Sequence, residues 1–331
     1  MPVFNSDRWL AKAIASIEAQ SFPDFELIVI DDGSTDQTAQ IIADAARGDA
    51  RIRTARQDHR GIAAALNSGI ALARSQIIAR MDGDDIAAVD RLRTQLAFLA
   101  AHPAIAGVGS WAYVIDEQDH RIGELKPETE PVLLHDLLPK QNPFVHSSMM
   151  LRADAIRSAG GYRPVLDGAE DYDLWLRMSE RAQLANIPQF LLNYRSLPAS
   201  ANTATARRQL LSARLARLSA TARRSSQPDF VATLEAPLDL DALRNRDELR
   251  ATAELYDLLS RGADSRFAAR DLRRFGGTEL NHAERRAAQF WLKELLTSQK
   301  SWSIRGMALC WLLRLHPPRG LSLIWSALRG R

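Results

Sequence analysis

The sequence predicts an α/β fold: a mostly parallel sheet sandwiched by helices, followed by an all-helical region. Three observations carry that reading. Short apolar runs over 25–30 and 76–81 each stop at an acidic, glycine-containing turn, Asp31-Asp32-Gly33 and Asp82-Gly83-Asp84-Asp85. Stretches with helical spacing stand between the runs, and alternation of this kind builds parallel sheets with helices on their faces. From Thr203 onward the strand pattern is gone.

A first helix is read around Trp9, Ile14, Ile17 and Glu18, closed by Phe22-Pro23 because proline cannot continue it. Phe25-Glu26-Leu27-Ile28-Val29-Ile30 is short, β-branched and ended by turn residues, the pattern of a buried parallel strand. Helix 36–46 follows, with Ala39, Ile42, Ala43 and Ala46 on one face and Ser34, Thr35 and Asp36 as N-cap candidates. Helix 62–73, strand 76–81, helix 91–101 and strand 106–115 continue the alternation. In such sheets ligands bind beyond the carboxyl ends of strands, where both acidic turns lie.

At 331 residues the chain suits two domains better than one. The single cysteine, Cys310, excludes an intrachain disulfide and a cysteine-based zinc or iron–sulfur site. The net charge of +3 hides an asymmetry. Residues 1–199 carry 20 Lys and Arg against 27 Asp and Glu, whereas 200–331 carry 23 against 13. The boundary is therefore drawn after 199. Only five of the 43 basic residues are lysine, which looks like codon bias and weakens the arginines as a nucleic-acid signal; no nucleic-acid partner is expected. Residues 1–10 do not form a signal peptide, and no apolar run reaches the ~18–20 residues of a membrane span. A cytoplasmic protein is expected, with any membrane contact peripheral and on the inner face of the cytoplasmic membrane.

Asp82, Asp84 and Asp85 crowd one turn. Carboxylates this close repel unless a cation neutralises them, and hard oxygen ligands favour Mg²⁺ or Mn²⁺. A solvated acidic turn that caps the next helix fits the same spacing. Asp31 and Asp32 fit either a turn or a contact to a ribose or base. Glu170-Asp171 heads an apolar helix containing Leu174, Trp175 and Met178, and reads as capping or as a general base aimed into a cleft. His146 is read equally well as a packed loop histidine and as a substrate contact. Trp175 is read as core.

The order of these clusters resembles that of the inverting family 2 glycosyltransferases of the GT-A (Rossmann-like) fold, of bacterial type. Met1-Pro2-Val3-Phe4-Asn5 resembles that family's first-strand exit, and the run 16–36 is close to its pattern throughout. Gly61 to Gly69 with Asn67 resembles its G-x-x-x-A-x-N-x-G helix, and Arg80-Met81-Asp82-Gly83-Asp84-Asp85 its D-x-D-D turn. Asn142-Pro143-Phe144-Val145-His146-Ser147-Ser148, Gly160-Gly161-Tyr162, Glu170-Asp171-Tyr172-Asp173-Leu174-Trp175-Leu176-Arg177 and Ile187-Pro188 to Tyr194-Arg195 match its later segments. Eight motifs in order over some 200 residues are specific where any one is weak.

The resemblance implies a metal-dependent enzyme that moves a sugar from a nucleoside-diphosphate sugar, a UDP-sugar, to a hydroxyl of a glycan or lipid-linked acceptor, as in cell-surface polysaccharide synthesis. It implies Asp32 against the base with the Pro2-Val3-Phe4 backbone beside it, Asp82 on the ribose side, Asp84 on the divalent metal and Asp171 as the base that deprotonates the acceptor. Glu170, His146 and Asp85 are further candidate substrate contacts. The chemistry is coherent: a metal neutralises the diphosphate leaving group, and a placed carboxylate takes the proton of the attacking hydroxyl.

Two departures stand out. The family carries about five to eight residues of central strand ahead of the Pro-Val-Phe-Asn match, and here Met1 stands where that strand should be ending; a misplaced start with a strand upstream is the expectation. The family often has a histidine two residues after its Tyr-Arg, and here that place is Leu197. A nucleotide-sugar-binding relative with weak or no transferase activity is the alternative. A dinucleotide-dependent oxidoreductase is disfavoured, since no G-x-G-x-x-G follows an early strand. In the second half, helices are read over 207–222, 243–259, 282–296, 302–315 and 321–328. The last two are amphipathic, basic and Trp-bearing, and fit either an anionic membrane surface met through 302–329 or a cap over the first domain or a twin subunit.

Overall fold

The computed structural model describes residues 1–196, 204–236, 238, 240–246, 249–250 and 252–253. The chain alternates as expected through its first hundred residues. In order come β1 (Pro2–Val3), α1 (Leu10–Glu18), β2 (Leu27–Asp31), α2 (Thr38–Gly48), β3 (Ile52–Arg56), α3 (Ile62–Leu72), β4 (Ile77–Ala79), β5 (Ile86–Ala87), α4 (Arg91–Ala101) and β6 (Ile105–Ile115). Then follow β7 (Arg121–Leu125), α5 (Pro131–Leu137), β8 (Met150–Arg152), α6 (Ala153–Ser158), α7 (Glu170–Met178), β9 (Gln183–Arg195), α8 (Ala204–Arg224) and α9 (Leu240–Arg244).

The parallel character is concentrated in the first sheet. There β1, β2 and β3 run parallel in spatial order, with Pro2 opposite Ile30 and Leu27 opposite Ile52. The second sheet, ordered β4-β8-β6-β9-β5 with β7 beside β6, is mixed: β6 pairs β9 in parallel and the remaining pairs are antiparallel. The reason is connection length. Helical crossovers join β1, β2 and β3, whereas a five-residue link joins β6 to β7 and permits an antiparallel pair. β3 carries no continuous apolar run and escaped the sequence reading; its outward residues are exposed and its burial comes from Ile52.

The helices bury the faces their periodicity assigns. α1 buries Leu10, Ala13, Ile14 and Ile17, and of these Leu10, Ile14 and Ile17 join Val3, Leu27, Val29, Ile42 and Met81 in one core. Trp175 is fully buried, as read. Asp36 does not cap α2 as its N-cap residue, which is Gln37; its carboxylate accepts instead from the Thr38 amide at 2.9 Å.

β1 is formed by two residues of the Pro-Val-Phe match itself and lies at one edge of the first sheet. A cavity of about 720 Å³ lies beside it, lined by Leu27 and Ile28 of β2, Leu66 and Ile70 of α3, and Ile77 and Ile78 of β4. The Met1 amine donates to the Ile28 carbonyl at 2.9 Å and is buried there; desolvation, with Arg80 adding to it, pulls the amine down to about 5.

The chain divides into two compact units. One holds Met1–Pro198 and Ala216–Leu234, the other Ala199–Leu215 and Glu235–Arg331. In the first unit, residues 216–234 are tied in by Asp229, which accepts from Arg163 Nη2 at 2.6 Å and from Arg223 Nη1 at 2.9 Å, while Arg223 also pairs with Glu180 at 2.8 Å. Of the helices expected after 200, α8 contains 207–222; α9 ends at Arg244, where the helix expected over 243–259 was to begin, and most of that segment and all of 282–296 lie outside the described residues. Leu197 and the amphipathic segments of 302–329 lie outside the described residues. Among the described residues no helix is long and apolar enough to cross a membrane.

Candidate active site

Two acidic strand ends and one acidic helix start lie in the first unit. At the carboxyl end of β2, Asp31 Oδ1 accepts from the Ser34 amide at 2.9 Å and Oδ2 lies 3.1 Å from Arg56. Asp32 is buried and its carboxylate collects donors from the loop 57–61: Gln57 Nε2 at 2.6 Å and the amides of Arg60 at 3.0 Å and Gly61 at 2.8 Å; His59 Nδ1 bonds the Asp32 carbonyl at 3.1 Å and lies 2.8 Å from Oδ2. Gly33 lets the loop come this close. Its φ is +85°, and a Cβ there would stand 2.9 Å from the His59 amide nitrogen. Pro2 and Val3 are buried next to Asp32, whose amide donates to the Val3 carbonyl at 2.9 Å. Phe4 emerges at the rim, 42% exposed, stacked on His59 at 3.9 Å between ring centroids.

Beyond β4 the turn Asp82-Gly83-Asp84-Asp85 folds tightly because residue 83 is glycine; a Cβ there would meet Val3 Cγ1 at 2.7 Å. Asp82, Asp84 and Asp85 each place a carboxylate oxygen within 4.8 Å of the others. Asp85 is buried, one oxygen accepting from the Arg195 amide at 2.7 Å and the other without a hydrogen-bond partner. Burial, then repulsion by Asp82, pushes Asp84 up to about 6; burial, then Asp82 and Asp84, pushes Asp85 up to about 7. An orphaned buried oxygen and three mutually repelling carboxylates fit a hard divalent cation. Arg195 supports the turn through its backbone: Nε donates to the Asp84 carbonyl at 2.8 Å.

The second acidic centre heads α7. Glu170 is 5% exposed and accepts from the Gly168 amide at 2.8 Å. Asp171 accepts from the Tyr172 amide at 2.6 Å and from Asn142 Nδ2 at 2.8 Å. Burial, then Asp171, pushes Glu170 up to about 7, and burial also raises Asp171. Between the centres sits Arg80, buried and paired through Nη1 with Asp82; its charge favours ionisation of Asp84, Glu170 and Asp171. Arg91 holds the Arg80 carbonyl at 2.6 Å. His146 is half-buried, with Nε2 3.0 Å from the Tyr162 hydroxyl and its ring edge-on to Trp175. Burial keeps its pKa well below the usual imidazole range.

The structure therefore groups Asp82, Asp84, Asp85 and Arg80 in one charged cluster, and Glu170 and Asp171 in another that Arg80 also reaches. Pro2, Val3, Phe4 and Asp32 form a third group around the loop 57–61. Sequence reasoning missed the loop residues Gln57 and His59, the anchor Asn142, and the buried arginines 80, 91 and 195 as parts of the site. An arginine two residues before an acidic turn, as Arg80 is, was the one available signal.

A parallel β-α-β first half opening into a mixed second sheet, with carboxylates at the strand ends, defines a GT-A fold. The same fold is seen in TarS of S. aureus crystallised with UDP-GlcNAc, at a TM-score of 0.54 and 14% identity over 99% of this chain and 88% of that one. The family model of glycosyl transferase family 2 matches residues 1–159. The putative glycosyltransferase EpsE of Bacillus subtilis is 40% identical over 185 residues, 54% of this chain and 65% of that protein. The O-antigen biosynthesis glycosyltransferase WbnJ of Escherichia coli is 32% identical over 199 residues, 59% of this chain and 77% of that protein. The chain belongs to glycosyl transferase family 2. It spans less than two thirds of the length of EpsE.

Proposed function

We propose that this chain transfers a glycosyl group from a nucleoside-diphosphate sugar, a UDP-sugar, to a hydroxyl of a glycan or lipid-linked acceptor, with inversion, in cell-surface polysaccharide synthesis. The observation that carries the reading is the pairing of an under-neutralised acid trio with a buried Glu170-Asp171 pair in a family 2 chain. WbnJ, named for O-antigen biosynthesis, and TarS, crystallised with UDP-GlcNAc, support the pathway and the donor class.

In this reading Pro2, Val3, Phe4 and Asp32 form the base end of the donor site and Asp82 faces the ribose. Asp84, with Asp85 and Asp82 beside it, would hold Mn²⁺ or Mg²⁺. When bound, the ion supplies Lewis-acid neutralisation of the diphosphate leaving group. Asp171 accepts the proton of the acceptor hydroxyl, held in place by Asn142, and Glu170 keeps the neighbouring position dry and low in net charge. Arg80 fixes Asp82 and offsets the negative charge that both acidic centres accumulate. His146 orients Tyr162 against the acceptor side. Residues 1–199 are the catalytic domain and 200–331 a separate basic region, whose segment 302–329, outside the described residues, is read either as meeting an anionic membrane surface or as capping the first domain or a twin subunit.

Donor hydrolysis by wild type, Asp84→Ala and Asp171→Asn tests the proposal. A large drop in both variants is expected. Equal rates in all three would falsify it.

A further inference from the structure

The acid trio has a buried cation beside it. The side chain of Arg195, the last residue of β9, is fully buried. Its amide donates to Asp85 Oδ1 at 2.7 Å and its Nε to the Asp84 carbonyl at 2.8 Å, so the guanidinium lies against the turn that carries the three carboxylates. Its charge favours ionisation of Asp84, and a buried arginine in this place is a ready counter-ion for the trio. Its two terminal nitrogens are turned elsewhere. Nη1 donates to the Asp116 carbonyl at 2.5 Å and Nη2 to Asp119 Oδ1 at 2.5 Å.

Both acceptors belong to the turn between β6 and β7. That turn is closed on itself by Asp116, whose Oδ1 accepts from the amides of Gln118 at 2.8 Å and His120 at 2.9 Å. Asp119 stands in it at a φ of +70°, a left-handed backbone that costs energy in any residue but glycine. The turn is also pinned to the start of α1: Arg8 pairs with Glu117 at 2.7 Å, and Lys12 pairs with Asp119. The two cations on Asp119 are not equivalent. Lys12 is 61% exposed and keeps its water if the carboxylate is lost. Arg195 has no water to turn to, and its charge would be left uncompensated beside the trio.

We propose that Asp119 is a positioning residue for the metal centre: it takes the charge of Arg195, holds the guanidinium on the β6–β7 turn, and so leaves the carboxylates of Asp82, Asp84 and Asp85 to a divalent cation. Without that anion, the carboxylates on the turn that Arg195 already touches become its partners. A guanidinium bound there occupies the oxygens a cation needs and sets a positive charge against it. The proposal rests on the metal reading above and deepens it, because it says how the trio is kept free of the protein's own cation.

Titration of the full-length protein with Mn²⁺, the free ion read by its electron paramagnetic resonance signal, tests this without turnover. Asp119→Asn keeps the shape and removes the charge, and should weaken Mn²⁺ binding about tenfold or more. Asp119→Asn combined with Arg195→Gln removes the stranded cation as well, and should bind within about threefold of wild type. Lys12→Ala loosens the same turn but strands no buried charge, and should stay within about twofold. Unchanged binding in Asp119→Asn overturns the proposal. So does a double variant that binds no better than Asp119→Asn, or a loss in Lys12→Ala as large as in Asp119→Asn, since either makes Asp119 a support of the turn alone. Wild type that binds no Mn²⁺ overturns the metal reading itself.

Discussion

The two acidic strand ends use the same residue type to opposite effect. At the end of β2, Asp32 accepts three hydrogen bonds from its own fold with His59 Nδ1 2.8 Å from Oδ2, and Asp31 accepts a turn amide while its second oxygen, without a hydrogen bond, lies 3.1 Å from the Arg56 guanidinium that neutralises it. Beyond β4, Asp84 and Asp85 are buried among like charges, one oxygen of Asp85 has no partner, and both carboxyls are pushed up. The first arrangement lowers the energy of the folded chain and spends its carboxylates on structure. The second is left incomplete by the protein, and a ligand must complete it. Unsatisfied groups held in place by a well-satisfied frame are the physical mark of a functional centre.

The comparison can be broken or sharpened by experiment. The largest effect is expected at α7. Asp171→Asn should lower glycosyl transfer by a factor of about 10²–10⁴ with donor binding unchanged, read from nucleoside diphosphate release and from titration of the donor. A matching loss of donor binding would move Asp171 out of the acceptor side. Next come two substitutions that should act in opposite directions. Asp32→Asn removes an acceptor from a loop with several donors and should cost about 2–3 kcal/mol in urea denaturation. Asp84→Asn relieves repulsion in the metal-free protein and should stabilise it by about 1–2 kcal/mol at pH 8, while abolishing Mn²⁺-dependent stabilisation. If both variants are destabilised alike, the two strand ends are not physically different.

The Glu170 titration supplies a pH test. Its carboxyl is raised from the usual value to about 7, so the folded state holds the proton more tightly than the unfolded chain. The stability this contributes is full below about pH 4.5 and is lost as pH rises through about 7. Metal-free wild type should weaken by about 2–3 kcal/mol across that window, and Glu170→Gln should flatten the slope. An identical pH profile in the variant would remove Glu170 from the list of under-satisfied groups. The smallest effect belongs to the frame. Gly33→Ala forces a Cβ at positive φ against the His59 amide and should cost about 1–2 kcal/mol, seen as a lowered Tm, with the Mn²⁺ response intact.

Much of the fold was legible because it is written in short-range patterns. Leu10, Ala13, Ile14 and Ile17 share one helical face, and Leu27 to Ile30 form an apolar run that ends at a turn; both became what their periodicity says. The acidic turns, too, were visible as clusters at strand ends. β3 was not, because its pattern is half polar, and neither was the antiparallel bias of the second sheet, which depends on which strands meet after the chain has folded.

The sequence by itself determined the α/β class, the family and the identity of the carboxylates that matter, since all three rest on local composition and on motifs read in order. Only the tertiary structure decided what each carboxylate is free to do. Asp32 and Asp84 look alike in the chain. One accepts hydrogen bonds from donors 25 to 29 residues away, and the other is supported by Arg195, 111 residues on, through its carbonyl, with its carboxylate left among like charges. Satisfaction of a polar group is set by long-range neighbours that no local pattern encodes, and it separates a carboxylate that builds the site from one that can work in it.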